Sequence, residues 1–287
     1  MLHDGDNLRL RGAARDLSTY AEGRGTILAE GSIEVELDGD RTLASITTSP
    51  SVPGSESLVG RHVGRGFRAA AAALLPAELV AQPVSLLLDD LPVAAIISGY
   101  SRLYGSGDGL SSGAAPGIKA DICAGWQADG SLMTSIRDGS GMQMIETIAP
   151  RIEDPEDELS WHEMPELARG VMRRRRIVDL SVGEGVALWA WFRDTHGAPD
   201  GGKTVLHEYE VEGRIEEKYG PLSACVATPR VLPFPDCPAA AASAGRLVGR
   251  PLSDISQRVR SEFRGITTCT HLNDLFSSVG AVESLLA

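Results

Sequence analysis

The chain reads as an α+β protein built from two pseudo-symmetric units, each a three-stranded antiparallel sheet followed by helices. Three observations predict this: alternating apolar and polar runs broken by turn residues in both halves, alanine- and leucine-rich stretches after each set, and short landmarks that recur in the same order. The expected divisions are an N-terminal strand-helix unit over 1–104, a connecting region with a loop and short helices over 105–175, and a C-terminal strand-helix unit over 176–287.

Strand signals start at Leu8 and continue through Gly25 to Ala29, Ile33 to Leu37 and Thr42 to Ile46, with Asp38-Gly39 as the hairpin turn. A helix should follow, capped by Ser55 or Ser57 and filled by the alanine-rich Phe67 to Leu75 stretch until Pro76. The run Val84 to Ile97 is a buried element whose type periodicity leaves open, with helix favoured after Pro92. Glycine and serine from Gly105 to Gly117 mark a loop, and Glu153 to Glu158 an acidic stretch. Strand signals return at Ile177 to Thr195, Thr204 to Ile215 and Leu222 to Val231, with Gly197 to Gly202 as a loop; the tail from Pro238 is helical.

Four landmarks recur in order. Asp16-Leu17-Ser18 returns as Asp179-Leu180-Ser181, Glu34-Val35-Glu36 as Glu210-Val211-Glu212, and Leu58-Val59-Gly60-Arg61 as Leu247-Val248-Gly249-Arg250. Leu88-Asp89-Asp90-Leu91 returns as Leu272-Asn273-Asp274-Leu275. Each match alone is at chance level; their order suggests a duplicated unit. Two such units can bury their apolar faces against each other, with a ligand cleft at the pseudo-twofold axis or a filled core there.

A net charge of -12 and a sequence pI near 5.0 oppose binding to nucleic acid or an acidic membrane surface, and leave small molecules or proteins as partners. The first residues lack a secretory pattern and the apolar runs fall short of a membrane span, so the expected location is cytoplasmic. Cys123, Cys225, Cys237 and Cys269 form no CxxC pair, and thiols are expected there. A homodimer is left open.

The stretch from about 177 to 287 resembles the iron–sulfur cluster scaffold fold (NifU/SufE-like). Cys237 and its alanines, Leu247-Val248-Gly249-Arg250-Pro251-Leu252 and Cys269-Thr270-His271-Leu272 carry the likeness. The scaffold's hairpin cysteine has no counterpart in Asp194-Thr195-His196-Gly197, and the N-terminal copy has no ligand cysteines. Over nearly its whole length the chain also resembles a bacterial family known mainly as a domain of unknown function. Asp89-Asp90-Leu91-Pro92, Cys123-Ala124-Gly125-Trp126, Phe192-Arg193-Asp194, Val205 to Tyr209 and Cys269 to Leu275 carry that likeness. Its members look like catabolic enzymes of aromatic-degrading bacteria, and the resemblance extends to phenylcoumaran formaldehyde lyases.

Several residues could do acid–base chemistry. His271 and Asp274, three apart on a helix, share a face, so the carboxylate could orient the imidazole or simply hydrogen-bond within the helix. Strand alternation turns His207 and Tyr209 inward with Val205 and Val211, to line a pocket or to sit satisfied in a core. Asp89 and Asp90 lie in an apolar run, where burial raises a carboxyl pKa; a helix N-cap is the plainer role. Tyr100 and Tyr104 could hydrogen-bond a ligand or close the core. Cys237, Cys269 and His271 with Asp194 or His196 could hold a metal only if their ligand atoms converge. Arg173 to Arg176 form the one basic run, more suited to pairing with the chain's own carboxylates than to nucleic acid. Trp126, Trp161, Trp189 and Trp191 could wall an aromatic pocket.

The expected function is a cofactor-independent acid–base enzyme, a carbon–carbon lyase acting on an aromatic, lignin-derived small molecule and releasing a small aldehyde such as formaldehyde. Its base is His271 or His207, its orienting carboxylate Asp274 or Asp90, and its hydrogen-bonding phenol Tyr209 or Tyr100. The alternatives are a metal or iron–sulfur scaffold without catalysis, and a pure interaction protein.

Overall fold

A computed structural model describes residues 1–20, 25–105, 119–142, 144–145, 159–198 and 200–286. The glycine- and serine-rich stretch from 106 to 117 and the acidic stretch from 153 to 158 lie outside the described residues, as does the side chain of Tyr104. The chain is α+β and divides into two units. The first takes residues 1–102, 150–173 and 199–201, and the second 103–149, 174–198 and 202–287.

Each unit carries four antiparallel strands where three were expected. The first sheet runs in order β1 (Leu2–Asp4), β2 (Asn7–Thr19), β3 (Gly25–Leu37) and β4 (Leu43–Ser49). The second runs β5 (Met172–Val182), β6 (Val186–Gly197), β7 (Lys203–Ile215) and β8 (Leu222–Val231). In both sheets a tight glycine turn accounts for the extra strand. Gly5, at a φ of 59°, reverses the chain between β1 and β2, and the Gly183 N–H meets the Gly185 carbonyl at 2.8 Å between β5 and β6. The run from Ile177 to Thr195 is therefore two strands.

In the first unit, alternation on β2 and β3 puts Leu8, Leu10, Ile33, Val35 and Leu37 in the core. On the opposite face Arg9 pairs with Glu36 and Arg11 with Glu34 across the strands. The core is closed by α1 (Phe67–Ala72) and α2 (Pro83–Gly105), through Phe67, Val84, Leu88 and Leu91. The run left open by periodicity is helix from its first residue, ahead of Pro92 as well as after it. Pro92 has no N–H for the Leu88 carbonyl, and Arg68 donates to the carbonyl of Asp89, 2.8 Å away. Asp89 and Asp90 fall inside α2, away from its N-cap. The segment Pro83–Ser101 is long and apolar enough to cross a membrane by length and composition, contrary to expectation, but 56% of its most apolar window is buried within the protein. Its buried residues Val84, Leu88 and Leu91 belong to the core of the first unit.

The second unit packs α3 (Ser131–Arg137), α4 (Leu252–Glu262) and α5 (Thr270–Ala281) with its sheet. Leu272, Leu275, Phe276 and Val279 recur at helical spacing on α5 and meet Leu188, Ala190, Phe192, Tyr209 and Val211 in one core. A parallel stripe of His271, Asp274 and Ser278 is polar and still buried.

The two units share local detail beyond composition. Each central hairpin has one bulge at an aspartate, where Asp16 faces Ala29 and Leu17 faces Ile27, and Asp194 faces His207 and Thr195 faces Val205. Each next pair has one at its turn end, where Leu37 faces Leu43 and Ile215 faces Leu222. The glycines of the repeated Leu-Val-Gly-Arg dock alike: Gly60 donates to the Leu43 carbonyl at 2.8 Å and Gly249 to the Leu222 carbonyl at 2.7 Å. Both adopt positive φ, 84° and 79°, which glycine reaches without a Cβ penalty. The register makes Asp194 on β6 the counterpart of Asp16; Asp179, the match suggested by sequence, lies on β5.

Gly280 of α5 tests the helix packing. A Cβ there would stand 2.5 Å from Ser256 Oγ and 2.8 Å from the Ser256 nitrogen on α4. Gly280→Ala is expected to cost about 1–3 kcal/mol in chemical denaturation. Gly245→Ala, with nothing within 4 Å of its Cβ, should stay within about 0.5 kcal/mol of wild type.

Candidate functional site

The site is assembled in the second unit from four elements, each delivering polar groups into an apolar surround. β5 contributes Arg174 and Arg176, two residues apart and therefore on one face of the strand. β6 contributes Asp194 at the bulge, β7 contributes His207 opposite it, and α5 contributes His271 and Asp274 from its polar stripe.

Arg174 ties these together. Its Nε donates to Asp194 Oδ1 at 2.7 Å and its Nη2 to Oδ2 at 2.8 Å, while Nη1 donates to Asp274 Oδ2 at 2.7 Å. Arg176 Nη1 reaches the same Asp274 oxygen at 3.3 Å. The Arg174 guanidinium also lies over the Phe192 ring, 4.6 Å from its centroid. Two arginines and two carboxylates thus form a charge-balanced frame around the imidazoles.

Within that frame His207 Nδ1 stands 3.5 Å from Asp194 Oδ2. The His207 and His271 rings stack with centroids 3.8 Å apart and planes 20° apart. Cys269, the N-cap of α5, places Sγ 3.8 Å from His271 Nδ1. Burial by itself would push the Asp194 carboxyl up, but Arg174, with help from His207 and His271, overrides it and holds the group well below the usual carboxylate range. His271 is driven the other way from charge: burial first, then His207 and Arg174, lower its pKa well below the ordinary imidazole value against the opposing pull of Asp194. The site therefore favours the neutral form of this imidazole.

The remaining candidates are placed as follows. Asp274 shares the buried stripe with His271, but its carboxylate is held by Arg174 and Arg176; the carboxylate beside the imidazoles is Asp194. Tyr209 is buried, donates its hydroxyl to the Cys237 carbonyl at 3.3 Å, and has a phenol pKa raised chiefly by burial. Asp90 and Tyr100 lie on α2 of the first unit. His196 is buried near the end of β6, with a pKa lowered by burial. Trp189 and Trp191 donate from one strand face to Glu210 at 2.7 Å and Glu208 at 3.1 Å. Arg193 also donates to Glu208, at 2.6 Å.

The role of Asp194 was weighed from sequence only as a metal ligand, and that of Arg174 only as part of a basic run. No sequence signal singles out Asp194: the sequence match to Asp16 is Asp179, and only the sheet register places Asp194 at the corresponding bulge. The same equivalence puts Ala29 where the second unit has His207, while the aligned Leu-Asp-Asp-Leu and Leu-Asn-Asp-Leu put Leu87 where it has His271.

Among the described residues, Asp194, His207 and His271 are the group whose ligand atoms, all within 4.8 Å of one another, could hold a metal ion; the cysteine-based set is not such a group. The fit is poor as arranged. Both Asp194 oxygens accept from Arg174, and two rings only 20° from parallel aim their in-plane lone pairs side by side instead of at one point about 2.0–2.1 Å from each nitrogen.

A family model described as Protein of unknown function (DUF2889) matches residues 172–284, the stretch that holds β5 to β8, α4, α5 and every residue of this cluster. The match covers that stretch and not the whole length. No curated protein and no solved structure matches the chain.

The buried neutral imidazole makes folding sensitive to acid. His271 in the folded protein titrates below the unfolded value of about 6.5, so between the two the unfolded chain binds more protons and stability falls as pH drops. Its contribution is complete above about pH 6.5; Asp194 adds a second loss, which sets in as pH falls below about 4. Denaturant titrations from about pH 7 down to 5 should show a falling unfolding free energy, with a shallower slope in His271→Gln. Level stability in wild type over that range would contradict the assignment.

Proposed function

We propose that the second unit is a cofactor-independent acid–base enzyme in which the stacked His207 and His271 carry the proton and Asp194 orients His207. One observation carries this reading: a buried imidazole held neutral, stacked on a second imidazole that has a permanently ionised carboxylate at its other side. Such a pair can take a proton and return it without a redox centre.

The reaction class is a lyase acting on an aromatic small molecule, in keeping with the likeness to aromatic-catabolic enzymes. An imidazole removes the proton of a substrate hydroxymethyl group, the adjacent C–C bond breaks, and the carbon leaves as formaldehyde. The electron pair passes toward the aryl system, and the protonated imidazole returns its proton to the product. The first unit is a duplicated copy that keeps the carboxylates, Asp16 and Asp90, and has Ala29 and Leu87 where the imidazoles stand.

A second reading is a metal-binding protein, favoured by the proximity of Asp194, His207 and His271. Elemental analysis of protein purified without chelator separates the two. Stoichiometric metal that disappears in both Asp194→Asn and His207→Gln would replace the acid–base reading.

The direct test is a panel of aryl substrates bearing a hydroxymethyl group, with trapped aldehyde as the readout. Wild type should release aldehyde from at least one, and His271→Gln and His207→Gln should each slow turnover by roughly 100-fold or more. Full turnover in both variants would end the assignment.

A further inference from the structure

We propose that Arg174 is the positioning residue of this site: by gripping both oxygens of Asp194 with one edge and Asp274 with its remaining terminal nitrogen, it fixes which carboxylate the imidazole pair meets. The inference rests on the proton-transfer reading of His207 and His271.

The geometry demands a guanidinium. Nε and Nη2 lie on one planar edge and meet Oδ1 and Oδ2 of Asp194 as two parallel bonds, 2.7 and 2.8 Å long. Nη1 points to Asp274 on a different element, 2.7 Å away. A lysine ammonium is a single charge centre and cannot present two parallel donors to one carboxylate while holding a second from another side. With both oxygens accepting from Arg174, Asp194 cannot rotate away, and Oδ2 remains 3.5 Å from His207 Nδ1.

Among the described residues, the groups around the imidazoles are Arg174 and Arg176 from β5, Asp194 from β6, His207 from β7, and Cys269, His271 and Asp274 from the start of α5. Of these, Arg174 alone contacts both carboxylates. Removing it leaves Asp194 buried beside two imidazoles, where it must take up a proton or turn, and takes a positive charge from beside His271. Arg174 is thus what keeps Asp194 an acceptor. It touches no reacting atom in this scheme.

The test needs no substrate, so it fails or succeeds separately from the lyase reading. The six histidines of the full chain are followed by NMR titration of their ring C–H signals, with His271→Gln and His207→Gln supplying the assignments. Arg174→Met and Arg174→Lys are compared with wild type. The expected result is a displaced His271 titration midpoint in both, the displacement larger in Arg174→Met. Breaking a buried ion pair is strongly destabilising, so if Arg174→Met fails to fold, Arg174→Lys decides alone. A His271 titration unchanged in Arg174→Lys, with only a lower melting temperature, reduces Arg174 to a structural residue and overturns the proposal.

Discussion

Two carboxylates, Asp194 and Asp274, lie almost wholly out of water in the second unit, at 0% and 3% side-chain exposure. An ionised carboxylate in that position is untenable without a partner, because desolvation far outweighs what surrounding apolar groups return. Arg174 supplies the partner for both at once. The frame it makes joins β5, β6 and α5, and the His207–His271 stack sits against it. Remove the guanidinium and the ionised Asp194 has no reason to persist.

The secondary structure delivers these groups through two devices. On α5, one stripe of leucine, phenylalanine and valine faces the core while the neighbouring stripe of His271, Asp274 and Ser278 stays polar, so a helix anchored by apolar packing carries charge inside. On β7, the regular ladder that runs from Val186 opposite Ile215 sets His207 across from Asp194, and the bulge at Leu206 just beyond it lets both Leu206 and His207 be buried.

The comparison between units sharpens which residues matter. Both hairpins carry the bulge at an aspartate, and both units dock a Leu-Val-Gly-Arg glycine onto the same backbone carbonyl position. Yet burial raises the Asp16 carboxyl, whereas Arg174 pulls that of Asp194 down. Similar local backbone therefore carries carboxyl groups shifted in opposite directions, and the side chains around each decide which.

From sequence alone came the α+β class, the antiparallel strands, the recurring landmarks, and the inward direction of His207 and Tyr209, because two-residue and helical periodicities are local. The turns at Gly5 and Gly183 to Gly185 were too short to break those patterns visibly, so a strand was missed in each sheet. Which carboxylate meets which imidazole was out of reach. Arg174, Asp194, His207 and His271 come from four separate elements, and only the sheet register and the rotation of α5 bring them within hydrogen-bonding or stacking distance. Local pattern determined that these side chains point inward; the fold decided what they find there, since the energy of a buried charge depends on its neighbours in space and not on those along the chain.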